Sequence, residues 1–273
     1  MSRSTAAKRA TLRKLHASGC FVIPNPWDLG SARYLQKLGF KALATTSSGY
    51  AWSLARPDNA VALDEVLEHL RALAAGTDVP VSADFEGGFA DEPEAVGENV
   101  QRALATGIAG LSIEDSTGNP ADPLFEYSLS VERVRAARSA IDKSGTGVLL
   151  TARSEGFIVG RPDLAETIRR LTAYAQAGAD CLYAPGIRTR DQITSVVGAV
   201  APKPVNVLVG SDFSTVAELA ALGVRRISVG GALARTAWTA FLEAAREIAQ
   251  QGRFTGLGRA ASFADIDGQF RKA

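Results

Sequence analysis

Two acidic residues alternate in one short segment of the 273-residue chain. The segment PVSADFEGGFA occupies positions 80–90 and places Asp84 and Glu86 directly after a short apolar run. A second acidic pair, Glu114 and Asp115, follows the apolar run AGLSI. Carboxylate ligands without histidine or thiolate favour Mg²⁺ or Mn²⁺ over zinc. If the two runs form neighbouring strands, Asp84, Glu86 and Glu114 converge on a site for such an ion and for an anionic, chelating ligand.

Each of these polar groups also has a purely structural interpretation. The acids can cap the helices that follow or pair with surface arginines. Arg153 ends the run GVLLTAR, where it either pairs with Glu155 or Glu114 or grips a carboxylate or phosphonate with its planar fork. The segment TSSGY at 46–50 forms a turn or offers backbone N–H and hydroxyl donors to an oxyanion. The residues alone leave these alternatives open.

The elements that carry these residues alternate between two patterns. Eight short apolar or β-branched runs are FVIP from 21, KALATT from 41, VPVSAD from 79, AGLSIED from 109, GVLLTAR from 147, ADCLYAP from 179, KPVNVLV from 203 and RRISVGG from 225. Segments with helical spacing lie between them, beginning at Leu63, Glu92, Val131 and Leu164. This alternation predicts an α/β fold, a (β/α)₈ TIM-type barrel, with a doubly wound open sheet as the alternative.

The barrel is expected to form a single domain over residues 1–273. The prediction includes an N-terminal helix at about residues 4–18 and a C-terminal helical tail at about residues 232–273. Active sites of such barrels are built by the loops that follow the strands. Seven of the eight predicted strand ends are polar or rich in glycine, so we expect the chemistry at that end.

Composition excludes several classes of partner. Lys and Arg number 30 against 29 Asp and Glu, and no dense basic or acidic block interrupts the chain, so a general nucleic-acid or membrane binder is disfavoured. No apolar run approaches the roughly 18 residues that span a bilayer. The two cysteines, Cys20 and Cys181, suit small core positions and cannot build a disulfide framework. We expect a cytoplasmic protein.

The motifs resemble the isocitrate lyase and phosphoenolpyruvate mutase superfamily. ADFEGGFA is similar to its signature D-x-D-x-G-[YF]-G, with Asp84 and Glu86 at the acidic positions. LSIEDSTG resembles its G-[IV]-x-[IL]-E-D stretch, and LLTARSEGF resembles its arginine-bearing strand end. The segment from PNPWDLG to ARPD resembles its substrate loop and the mobile segment that follows. The resemblance covers roughly residues 10 to 250 in order.

The resemblance implies a Mg²⁺ site, with Mn²⁺ as the other candidate ion, and a small carboxylic acid substrate bearing a 2-oxo, 2-hydroxy or phosphonate group. The implied metal shell is Asp84 and Glu86, with Glu114 joining directly or through water. The implied substrate and catalytic residues are Asp58 in the closing loop, Ser48, Gly49 and Tyr50 in the carboxylate loop, Arg153 as electrostatic clamp and Asn206 on the seventh strand. The group that returns a proton to the enolate intermediate is water, Tyr50 or Tyr183. A homo-oligomer, tetramer or dimer, is also implied, in which the helix ALARTAWTAFLEAAREIAQ is either swapped between subunits or an ordinary outer helix.

Two departures from the motifs of this superfamily narrow the range of reactions that the resemblance implies. The stretch at 116–138 lacks the K-K-C-G-H loop of thiol-dependent lyases, and YAPG stands where the mutase subgroup has a histidine after its sixth strand. The resemblance therefore implies a Mg²⁺-dependent carbon–carbon lyase or decarboxylase that acts on a small 2-oxo or 2-hydroxy di- or tricarboxylic acid through a pyruvate-like enolate. The alternatives are a phosphoenolpyruvate or phosphonopyruvate mutase or hydrolase and a catalytically weak oxo-acid-binding protein.

Overall fold

A computed structural model describes residues 3–271 of the chain. Its strands are β1 (Phe21–Ile23), β2 (Leu43–Ala44), β3 (Val81–Ala83), β4 (Gly110–Glu114), β5 (Leu149–Arg153), β6 (Cys181–Tyr183), β7 (Val205–Leu208) and β8 (Arg226–Ser228). Its helices are α1 (Thr5–Ala17), α2 (Leu29–Lys37), α3 (Ser47–Ser53), α4 (Leu63–Gly76), α5 (Pro93–Leu104), α6 (Tyr127–Ser144), α7 (Leu164–Gln176), α8 (Arg190–Val200), α9 (Val216–Ala221), α10 (Ala232–Gln251) and α11 (Phe263–Phe270). A 3₁₀ helix, Thr255–Arg259, precedes α11.

The strands form one parallel sheet that closes into a barrel. Their order is β1-β8-β7-β6-β5-β4-β3-β2. The seam between β1 and β2 is bridged because the Ala44 N–H donates to the Pro24 carbonyl at 3.1 Å. Asn25 reinforces the seam: its Nδ2 donates to the Thr45 carbonyl at 2.8 Å, and its Oδ1 accepts from the Val229 N–H at 2.9 Å. The barrel prediction is confirmed, and the open doubly wound sheet is excluded.

The predicted helix starts agree with the structure except at α6. The spacing places its start at Val131, whereas the helix begins at Tyr127. The extra turn forms because the Glu126 carboxylate accepts hydrogen bonds from the backbone N–H groups of Ser128 and Leu129. Such a side-chain cap satisfies donors that the first turn of a helix leaves free.

The C-terminal helices present an apolar surface. Of the twenty residues in α10, only Ala234 is buried. The exposed side chains there include Trp238, Phe241 and, in α11, Phe263. Within residues 3–271, no helix combines the length and the hydropathy needed to cross a bilayer.

Helix α1 covers the end of the barrel where the strands begin. Leu12 is fully buried there, and Lys8 Nζ donates to the Ala74 carbonyl at 2.7 Å. His16, on the same face, donates from Nδ1 to the Leu12 carbonyl at 2.8 Å, so its Nε2 is left to accept from Arg226 Nη1 at 3.4 Å. Burial, with the positive charge of Arg226, lowers the pKa of His16 to about 3.

This neutral, buried His16 predicts an acid-labile fold. Between pH 6.5 and about 3 the unfolded chain binds a proton at His16 that the folded chain does not. Stability should therefore fall as the pH falls, by about 1.4 kcal/mol per pH unit for each such histidine. His16→Gln should show a shallower fall in urea unfolding experiments, and Lys14→Gln, exposed on the same helix, should match wild type. Equal slopes for His16→Gln and wild type would contradict the prediction.

Candidate active site

A cavity of about 190 Å³ opens where the strands end. Polar side chains from several strand ends and the loops that follow them line it, among them Thr46, Ser47, Ser48, Asp58, Asp84, Arg153, Tyr183 and Asn206. The barrel closure explains this convergence, because parallel strands deliver all of their carboxyl ends to one mouth. A volume of this size admits only a small ligand.

Arg153 is the centre of an ion-pair network in this cavity. Its Nη1 lies 2.7 Å from Asp84 Oδ1 and 3.0 Å from Glu114 Oε2, and its Nε lies 2.9 Å from Glu155 Oε1. The pairing of β4 with β5 sets Glu114 directly beside Arg153. All four side chains are largely buried, so the charges are held in place rather than screened by solvent.

Asp84 joins this network to the loop after β2. Its Oδ2 accepts from the Ser47 N–H at 3.0 Å, and its own N–H donates to Thr45 Oγ1 at 2.8 Å. The carboxylate is thus fixed by a backbone donor on one side and by Arg153 on the other.

Glu86 and Glu114 face a second opening, on the other side of the network. It has a volume of about 370 Å³ and is also lined by Asn59, Phe89 and Arg133. Glu86 reaches it because its backbone has a positive φ of 48°, which turns the side chain away from the direction expected after β3. Within residues 3–271, no three acidic, histidine or cysteine side chains are arranged to hold an ion together. The predicted ligands Asp84, Glu86 and Glu114 therefore do not form a preformed three-ligand metal site.

Negative charge exceeds positive charge at the site. Burial, with the charges of Asp84 and Asp58, raises the pKa of Glu86 to about 8. Burial also raises the pKa of Asp58 and, well above its usual range, that of Glu114, against the opposing effect of Arg153. These groups would ionise more readily if a further cation were present. Mg²⁺ fits the site because it binds through one or two carboxylates and keeps several waters, and Asp84 is the member of the predicted set of Asp84, Glu86 and Glu114 that lines the cavity.

The loop after β2 reaches the cavity through Thr46, Ser47 and Ser48 at the start of α3. The structure does not bring the predicted Gly49 and Tyr50 to this cavity. A side chain at Gly49 would come within 2.9 Å of Trp27 Cβ, so this glycine permits close packing of α3. The Tyr50 ring stacks on His69 at 3.8 Å between centroids, and its hydroxyl donates to the Glu65 carbonyl.

Tyr183 and Asn206 line the cavity from β6 and β7. The Arg153 guanidinium lies 5.2 Å from the centre of the Tyr183 ring. Burial raises the pKa of Tyr183 to about 12, so its hydroxyl stays protonated at neutral pH. Asn206 is fully buried; its Nδ2 donates to Ser228 Oγ at 2.9 Å, and its Oδ1 accepts from Arg226 Nε at 2.8 Å.

Three buried residues behind the network, Asp115, Arg170 and Tyr174, contact one another and support Glu155. None of them was predicted from the sequence to take part in the site. Tyr174 donates to Asp115 Oδ2 at 2.7 Å, and Arg170 lies 3.2 Å from the same oxygen. Asp115 Oδ1 in turn accepts from the Glu155 N–H at 2.7 Å. These buried contacts hold Glu155, and through it Arg153, in position. Arg170 and Tyr174 are four residues apart on α7, so both face inward. This spacing is visible in the sequence and could have indicated their role.

Comparisons with known proteins extend over most of the chain. The sequence model of the phosphoenolpyruvate phosphomutase family matches residues 12–249 of this chain. A solved structure of a lyase or mutase candidate from Burkholderia cenocepacia J2315 is 48% identical, with a TM-score of 0.94 over 98% of this chain and 97% of that one. Oxaloacetate decarboxylase from Rhodopseudomonas palustris strain BisB5 is 30% identical over 93% of this chain and 90% of its own. Oxaloacetate acetylhydrolase in complex with its product oxalate is 26% identical, with a TM-score of 0.85 over 98% of this chain and 95% of that one.

Proposed function

The chain belongs to the phosphoenolpyruvate phosphomutase family, and from that premise we propose that it is a Mg²⁺-dependent lyase or decarboxylase that cleaves a carbon–carbon bond of a small 2-oxo or 2-hydroxy di- or tricarboxylic acid. The observation that carries the proposal is the ion-pair network of Arg153 with Asp84 and Glu114, of which Arg153 and Asp84 line a small cavity. Two relatives bear names that refer to oxaloacetate, a decarboxylase and an acetylhydrolase. Both names describe cleavage of a carbon–carbon bond in a small oxo diacid.

The metal would be held by Asp84, with Asp58, Glu86 and Glu114 contributing through water. A bound Mg²⁺ would supply Lewis-acid stabilisation of negative charge on the substrate's oxygens. Mn²⁺ offers the same ligand chemistry. This assignment is supported by the raised pKa values of Asp58, Glu86 and Glu114, because burial, together with neighbouring carboxylates, leaves their ionised forms without enough stabilisation.

The residues of the chain would orient the substrate and manage its charge. Ser47 and Ser48, at the start of α3, line the cavity and would hold the substrate carboxylate with their hydroxyl groups. Arg153 would balance the charge of the departing group while it remains oriented by Glu155. The narrow cavity would keep bulk water away from the enolate.

Tyr183 is the proposed proton donor to the enolate carbon. It lines the cavity beside Arg153, and its raised pKa keeps the proton on the phenol until a strong base forms. Tyr50, the other tyrosine considered from sequence, does not line this cavity, so we do not assign it a catalytic role. No cysteine or histidine is among the residues that line the cavity, in keeping with a reaction that needs no thiol acid.

A mutase or hydrolase that acts on phosphoenolpyruvate or phosphonopyruvate is the second candidate, because the matching family is named for a phosphomutase. Pro185 and Gly186 follow β6, in the segment where the mutase subgroup that this chain resembles has a histidine. The lack of a histidine in this segment favours the lyase. An oxo-acid-binding protein with little turnover is the third.

Product analysis separates the three candidates. The protein with Mg²⁺ would be incubated with oxaloacetate, with 2-hydroxy diacids and tricarboxylic acids, and with phosphonopyruvate. We expect a pyruvate-type or oxalate product from one of the carboxylic acids, lost when EDTA is added. Steady phosphate release, or conversion of phosphonopyruvate to phosphoenolpyruvate, would replace the lyase proposal with the second candidate. Thermal stabilisation by an oxo acid without any turnover would replace it with the third.

We also propose a cytoplasmic homo-oligomer, dimer or tetramer. The exposed aromatic side chains Trp238, Phe241 and Phe263 support this proposal, because an apolar surface of this kind is characteristic of a subunit contact. The same helices would be the elements exchanged between subunits. Cys20 and Cys181 are both free thiols, which suits a reducing compartment.

A further inference from the structure

The cavity extends below the catalytic residues into the interior of the barrel. Its lower lining consists of Ser82, Ser112, Asn206, Ser228 and Arg226. The interior of such barrels is ordinarily filled by bulky, branched apolar side chains. Small polar side chains at these inward positions leave space, and an arginine lies at the bottom of it.

Arg226 carries a buried charge without a counter-charge. Only 5% of its surface is exposed, and it is one of the residues that line the cavity. Its Nε donates to the Asn206 amide oxygen and its Nη1 to His16, a neutral ring. Across residues 3–271, no group accepts a hydrogen bond from its Nη2, and no carboxylate forms an ion pair with it.

The other buried arginines of the described chain are satisfied differently. Arg170 is paired with Asp115 and Glu166. Arg133 donates through both Nη atoms to the backbone carbonyls of Gly87, Ala90 and Asp91, while its Nε is buried without a partner. Buried charges are costly unless they are paired or fully hydrogen-bonded. Of these three, Arg226 is the one that lines the cavity at the strand ends, and it does so without a carboxylate partner and with Nη2 left without an acceptor.

We infer that Arg226, with Asn206 and Ser228, forms a carboxylate-binding subsite at the bottom of the cavity. A carboxylate accepts paired hydrogen bonds from a guanidinium, and Asn206 already fixes the plane of this one through Nε. The register sets Asn206 directly beside Arg226, so the two strands hold the subsite rigidly. His16 and Leu12 of α1 close it from below.

The carboxylate has two sources. It is the far carboxylate of a substrate whose 2-oxo end lies at Arg153, or it is a separate small carboxylate such as formate. The first source rests on the proposed function, and it makes Arg226 the residue that selects diacids over monoacids. The subsite itself rests only on the buried charge of Arg226 and the cavity it faces.

Calorimetric binding measurements on the Mg²⁺-loaded protein test the inference. The ligands are pyruvate, unbranched 2-oxo diacids of increasing length, and formate titrated in the presence of saturating oxalate. If the substrate supplies the carboxylate, one diacid binds wild type more tightly than pyruvate, and Arg226→Gln weakens that diacid by about 10-fold or more while pyruvate changes less than about 2-fold. If the carboxylate is separate, formate binds wild type alongside oxalate, and Arg226→Gln abolishes that binding.

Two variants control for folding. Arg226→Lys keeps a cation and should retain part of the diacid preference. Arg225→Gln removes the neighbouring arginine, which donates to the Gly19 carbonyl, and should bind all ligands as wild type does. If Arg226→Gln does not fold, wild type alone decides: the absence of both a diacid preference and formate binding overturns the inference. Equal binding by wild type and folded Arg226→Gln also overturns it. If the protein turns over none of the substrates, the proposed reaction is wrong, but the binding results still decide whether the Arg226 subsite exists.

Discussion

Arg153→Met is expected to abolish turnover and to destabilise the metal-free protein by about 3–5 kcal/mol near neutral pH. Arg153 is within ion-pair distance of Asp84, Glu114 and Glu155, all of which are largely buried. Its loss leaves three carboxylates without their shared counter-charge. Methionine retains much of the side-chain volume, so the change in stability would report the lost charge more than a cavity.

The pH dependence of this destabilisation identifies its cause. Arg153 opposes the burial that raises the pKa values of Glu114 and Glu155, so both rise further in the variant. A carboxyl whose folded-state pKa is raised holds its proton in the folded protein after the unfolded chain has lost it, and stability then falls as the pH rises above about 4.5. The deficit of Arg153→Met should therefore be small at pH 4.5 and large at pH 8, and Mg²⁺ should partly restore stability.

Arg169→Met is the matched control for Arg153→Met. Arg169 pairs with Glu166 on an exposed face of α7, where solvent screens an ion pair and its loss changes stability little. Chemical unfolding of wild type and both variants, at the two pH values and with and without Mg²⁺, provides the comparison. Equal stability of Arg153→Met and Arg169→Met at pH 8 without Mg²⁺ would show that the network does not hold buried charge.

The fold was predictable because its signals are local and repeated. Each short apolar run is buried on both faces in a parallel barrel, so it reads as a continuous apolar segment. The error at α6 also has a local cause: Glu126 caps the helix from a position that hydrophobic spacing does not reveal. The barrel and its active end then followed from the alternation of strands and helices.

The orientation of individual site residues was not predictable, because it depends on backbone angles. α3 begins at Ser47, immediately after the β2 end, so Thr46, Ser47 and Ser48 face the cavity, while Gly49 and Tyr50 turn into packing contacts. Glu86 alternates with Asp84 in sequence and was therefore expected beside it. Its positive φ instead directs it towards the second opening.

Asp84 is the residue on which the metal assignment depends. It is the one proposed ligand that touches both Arg153 and the α3 loop, through Oδ1 and Oδ2 respectively. Asp84→Ala is expected to eliminate the Mg²⁺-dependent rise in Tm, whereas Glu86→Gln and Glu114→Gln, proposed to act through water, should weaken apparent Mg²⁺ affinity by about 10–100-fold. The difference in effect follows from losing a direct ligand rather than a hydrogen bond to bound water.

The measurement must separate metal binding from general destabilisation, because Asp84→Ala also breaks an ion pair with Arg153. The relevant quantity is the change in Tm between EDTA and saturating Mg²⁺ within each variant, not the Tm itself. Glu155→Gln also disrupts Arg153 but is not a proposed ligand, so it should lose stability and keep its response to Mg²⁺. Asp64→Ala removes an exposed carboxylate that pairs with Arg102, and it should behave as wild type. If Asp84→Ala responds to Mg²⁺ as strongly as Glu155→Gln does, the ion is held elsewhere, and the carboxylates at Glu86 and Glu114 around the second opening become the place to search for it.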